Sequence, residues 1–148
     1  MKDYYQITEK IRDLLKAEPF TNTVTLGDPD EIDLSKATIF PLGHITVNEA
    51  RIETSRLIFN ISVSAMDIVD FNKESTEDVF LKNDNEQDVL NTQLAVLNRL
   101  FNALKRNEHL HEMDQEMICE PFNERHENNL AGWTGTFDVA IPNDMTIC

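Results

Sequence analysis

The chain has 148 residues and a formal net charge of −14. That acidity disfavours attraction to phosphates, which needs clustered Lys and Arg. With 41% hydrophobic and 27% charged residues it has the composition of a globular chain with a real core, most simply one domain over 1–148. No apolar run approaches the roughly 20 residues that span a bilayer, and the start of the chain lacks the apolar stretch of a secretory signal, so the expectation is a protein that stays in the cytoplasm, with no membrane partner. Cys119 and Cys148 lie far apart with no Cys-x-x-Cys spacing, which reads as two reduced thiols.

Residues 3–17 carry Tyr4, Ile7, Ile11, Leu14 and Leu15 at helical spacing, which predicts an amphipathic helix stopped by Pro19. Thr23 to Leu26 reads as a short strand, and Gly27-Asp28-Pro29-Asp30 is turn chemistry. Residues 37–42 read as a strand broken or edged at Pro41, resuming over Ile45-Thr46-Val47. Arg51 to Ala65 reads as one long strand. Leu57, Phe59, Ile61 and Val63 alternate with Ile58, Asn60, Ser62 and Ser64, and the polar start at Arg51, Glu53, Thr54, Ser55 and Arg56 is expected to project from the sheet.

Residues 67–88 are acidic around a small apolar island, Val79-Phe80-Leu81. A stretch of that length reads as a mobile or partner-ordered loop. Asp84 or Asn85 is a suitable N-cap for a second helix, with Leu90, Leu94, Leu97, Phe101 and Leu104 on its apolar stripe and Lys105 and Arg106 at its end. Residues 107–116 are polar. Met117 to Glu120 reads as a strand with Pro121 at its end, extendable through Phe122 to Arg125, and Asn128-Asn129 reads as a turn. In the last segment Trp133, Gly135, Phe137, Val139 and Ile141 share one face, Thr134, Thr136, Asp138 and Ala140 the other, and Pro142 ends the strand. The order predicts an α+β fold: one antiparallel or mixed sheet with two main helices packed on it.

Reactive groupings are weak. His109-Leu110-His111-Glu112 offers alternate ligands, but zinc needs three or four in one shell and nothing places His44 or His126 beside this pair. Asp84 to Asp88 resembles a calcium loop only superficially, since positions 6 and 12 hold Val89 and Ala95. The pairs Asp67/Asp70 and Asp28/Asp30 are what an acidic chain produces by chance. No nucleophile–base ordering, P-loop or G-x-G-x-x-G is present. The expectation is no catalysis, no metal and no cofactor. Trp133 reads either as a filler of the core edge or as an interface anchor, and the glycines at 132 and 135 suggest a bend or a close approach of another chain.

The chain as a whole resembles the tail terminator or tail-completion proteins of tailed bacteriophages, which belong to the head–tail connector. The resemblance rests on the opening amphipathic helix, the strand and acidic turn over Thr23 to Asp33, and Phe40-Pro41-Leu42-Gly43-His44. It continues through the long strand ending in Met66-Asp67-Ile68-Val69-Asp70, the Leu-rich helix from Asn85, and Asn129-Leu130-Ala131-Gly132-Trp133 leading to Ile141-Pro142-Asn143. It implies a virion structural subunit in a homo-oligomeric ring of six or twelve, contacting portal and tail proteins, with DNA passing through the channel unbound. A small acidic cytosolic protein-interaction module is the alternative. Under either reading the candidate subunit or partner contacts are Arg51, Glu53, Arg56, Asp70, Phe71, Phe80, Arg125 and Trp133.

Overall fold

The computed structural model describes residues 3–27, 39–69, 85–106, 112–113, 116–125 and 129–142. In chain order these form α1 (Asp3–Lys16), β1 (Thr23–Leu26), β2 (Leu42–Ile52), β3 (Arg56–Ile68), α2 (Glu86–Arg106), β4 (Glu112–Met113), β5 (Ile118–Arg125) and β6 (Asn129–Pro142). The fold is α+β, with one mixed sheet and two helices.

The sheet holds six strands in five positions. The order is β1-β2-β3-β6, with β4 and β5 end to end along the outer edge of β6. β1 runs parallel to β2, and every other pairing is antiparallel. The centre is the β3–β6 pair, in unbroken register from Arg56↔Pro142 to Ile68↔Leu130. β-Branched and aromatic side chains suit these pleated positions.

Both helices cover the same sheet face. Ile7, Ile11 and Leu15 of α1 and Val96, Leu97, Leu100 and Leu104 of α2 recur every three or four residues, so each set forms one stripe. Those stripes meet Leu57, Phe59, Ile61, Val63 and Ala65 of β3 and Phe137, Val139 and Ile141 of β6 in one cluster. Asn85 sits at the N-cap of α2, where its carbonyl accepts the Val89 N–H at 2.9 Å. The opposite face carries a smaller cluster at one end, built on Phe40, Leu42, Met66 and Leu130.

Several expectations shift. Residues 51–65 are not one strand. Arg51 and Ile52 end β2, the Glu53 N–H donates to the Arg56 carbonyl at 2.9 Å, and the chain reverses into β3. The polar run read as a projecting strand start is therefore a hairpin tip, its residues polar because the turn faces water. Gly43 and His44 lie inside β2 and do not interrupt it; of the strand expected over 37–42, residues 37 and 38 fall outside the described part, and Ile39 to Pro41 are not strand. In the expected loop 67–88, Asp67 and Ile68 belong to β3, Val69 is buried and Glu86 to Asp88 open α2, while residues 70–84 lie outside the described part. Pro121 does not end its strand. It sits within β5, on the outer edge of the sheet, where a missing N–H breaks no ladder. Asn129 opens β6, and 126–128 lie outside the described residues.

Candidate assembly surfaces

The helix-free sheet face is a polar ladder. Successive β3 and β6 residues put every second side chain there, and the register brings hydroxyls opposite hydroxyls. Ser62 meets Thr136 at 2.9 Å, and Ser64 meets Thr134 at 2.9 Å. Toward the hairpin the Asn48 amide donates to Asn60 Oδ1 and to Ser62 Oγ, each at 2.8 Å. Asn48 falls where the β2–β3 register shifts, between Val47 and Glu49. Asn60 in turn donates to Asp138 at 2.8 Å, and Arg51 approaches the same carboxylate at 3.4 Å.

The hairpin tip carries an exposed ion pair, Arg56 Nε to Glu53 Oε2 at 2.7 Å. The hydrogen bond from Arg56 holds the Glu53 carboxyl below its ordinary range, desolvation opposes this, and the Arg56 and Arg51 charges assist. Such exposed pairs stabilise little. Just before Glu53, Ile52 stands 80% exposed.

A third feature lies on the other face and toward the other edge. Leu94 and Phe101 of α2, with Met117, Cys119 and Trp133, line an apolar groove of about 580 Å³, with Asn91 and Asn98 among its polar lining. Trp133 forms one wall. Its Nε1–H donates to the Leu90 carbonyl at 2.8 Å, which orients the half-buried ring against α2 and the core. Burial pushes the Cys119 thiol upward, which keeps it protonated and unreactive near neutral pH.

At the opposite edge β1 is held by a buried imidazole. His44 Nε2 lies 2.9 Å from the Gly27 carbonyl, and Nδ1 lies 2.7 Å from the Thr25 hydroxyl. A carbonyl only accepts, so Nε2 carries a proton, and Nδ1 shares a hydrogen bond with the Thr25 hydroxyl. The Thr46 hydroxyl donates to the same carbonyl at 3.2 Å. Gly27 adopts φ 128°, a conformation that favours glycine.

Of the sequence-predicted contacts, Arg51, Glu53 and Arg56 come together at the hairpin tip. Trp133 lies on the other sheet face, and Arg125 pairs with Asn129 at the far end of β5. Asp70, Phe71 and Phe80 lie outside the described residues, as do His109 to His111. The sequence reading missed Asp138 as the anchor of Arg51, His44 as the clasp on β1, and the groove residues of α2 and β5. Alternation alone marked Asp138 as solvent-facing. The others depend on cross-strand neighbours that no local pattern contains. Among the described residues no group of three or more His, Cys, Asp or Glu is placed to hold a metal ion, and no helix is long and apolar enough to cross a membrane.

No protein-family model and no curated protein matches the chain.

Proposed function

We propose that the chain is a virion structural subunit of the head–tail connector of a tailed bacteriophage, acting by assembly into a ring around the DNA channel. The observation that carries this reading is the form of the sheet. Both described helices lie on one face, and the outer strands β1 and β5 leave their outer edges unpaired among the described residues. Different surfaces at opposite ends of one subunit suit a head-to-tail contact, and head-to-tail contacts close into rings when the rotation per step divides the circle. The net charge of −14 is compatible with a channel through which DNA passes without sticking. The order of elements and the residues quoted for the phage resemblance support the head–tail connector as the proposed location.

The test is the composition of purified virions together with the genes beside this one. The expected result is peptides of this chain in neck- or tail-containing particles, and flanking genes for portal, capsid or tail proteins. Absence from the particles and a metabolic gene neighbourhood would overturn the reading in favour of a cytosolic interaction module.

A further inference from the structure

We propose that copies of this chain join edge to edge, with the outer edge of β1 in one copy pairing antiparallel with the outer edge of β5 in the next, so that Leu26 seats in the groove beside Trp133. The inference deepens the ring reading and rests on it.

Strand direction is the first support. β1 is parallel to β2, β2 antiparallel to β3, β3 to β6, and β6 to β5. β1 and β5 therefore run in opposite directions within one subunit. A neighbour set beside the first in the same orientation presents its β1 antiparallel to β5, the more stable ladder. The same placement keeps the helices of both copies on one side of a continuous sheet.

Register is the second support. Leu26 pairs with Ile45, Ile45 with Val63, Val63 with Gly135, and Gly135 with Cys119. Leu26 and Cys119 are thus the two ends of one cross-strand row. A neighbour placed at the same height puts its Leu26 next to Cys119, and both side chains lie on the helix-covered face. The third support is the fit between them. Leu26 is 47% exposed, an apolar side chain on a strand whose outer edge is unpaired among the described residues, and the groove that begins at Cys119 is apolar. Unpaired edges draw other strands unless something covers them. In this register Pro121 lies opposite the neighbour's Val24 and withholds one donor, so the ladder rests on its remaining backbone pairs and on the Leu26 side chain, while His44 ties β1 to β2 through Thr25 and Gly27.

Disulfide trapping in the full chain tests this. In a Cys148→Ser background, which leaves Cys119 as the only native thiol, Thr23, Val24 or Leu26 is replaced singly by Cys. Each variant is oxidised with copper–phenanthroline at alkaline pH, because burial raises the Cys119 thiol. Val24 and Leu26 share the face of Cys119, and Thr23 does not. The expected result is a ladder of covalent multimers on a non-reducing gel for Leu26→Cys; a ladder from Val24→Cys in its place would overturn this register. Thr23→Cys should give none, and adding Cys119→Ser should abolish the ladder. No ladder in any variant, or an equal ladder from Thr23→Cys, overturns the interface. An oligomer by light scattering without the Cys119 cross-link overturns this interface alone. Absence from virions overturns the connector reading and leaves the cross-link result intact.

Discussion

Gln93 offers the sharpest test of the packing. It lies on α2 with only 2% of its surface exposed, one helical turn from Val89 and one from Leu97, both buried. Its side-chain amide has no hydrogen-bond partner among the described residues. A buried amide carries two donors and an acceptor, and leaving such a group unpaired costs about 1–3 kcal/mol. Methionine is close in volume, equal in helix propensity and free of that cost. Gln93→Met should therefore stabilise the chain by about 1–2 kcal/mol, allowing for imperfect repacking. For a domain of this size that raises Tm by roughly 2–8 °C, at about 2–4 °C per kcal/mol. Urea denaturation should move the midpoint upward with an unchanged slope. A midpoint that stays put or falls would refute the reasoning, because it would mean that the amide is hydrogen-bonded in solution.

Gly132 and Gly135 separate two kinds of crowding. A Cβ on Gly132 would overlap the Ala65 carbonyl oxygen and lie 2.8 Å from Met66 Cα, so Gly132→Ala should destabilise by about 2–3 kcal/mol in thermal melts. A Cβ on Gly135 would press on the flexible end of Met117, so Gly135→Ala should cost less than about 1 kcal/mol in the same assay. Trp133→Ala removes a half-buried ring from the core edge together with its hydrogen bond to the Leu90 carbonyl, so chemical denaturation should show a loss of about 3 kcal/mol; an unchanged monomer would mark Trp133 as an assembly anchor alone. The Cys119 thiol has a folded value raised by burial, so its contribution to stability is full below its ordinary value and is lost as pH rises through the folded value. The stability of wild type should accordingly fall above that ordinary value, and Cys119→Ser should flatten the alkaline limb.

Elements whose signal is local are legible from the residues alone. The stripe from Leu90 to Leu104 fixes α2, and the alternation through Phe137, Val139 and Ile141 fixes β6, because a buried face imposes its own period. The α+β class followed from their order. Tertiary structure decided the rest. Arg51 and Arg56 look alike in a strand pattern, yet one ends β2 and the other begins β3, because the hairpin is closed by a pairing between Ile52 and Leu57 that neither residue announces alone. Pro121 reads as a terminator until β5 is found at an edge, where the lost donor breaks nothing. His44, Asp138 and the groove beside Trp133 are defined by partners on strands and helices distant in the chain. Period is a property of one segment, and register is a property of two. The row that runs from Leu26 to Cys119 crosses five strands, and only the folded sheet places its ends at the two edges where a neighbour could meet them.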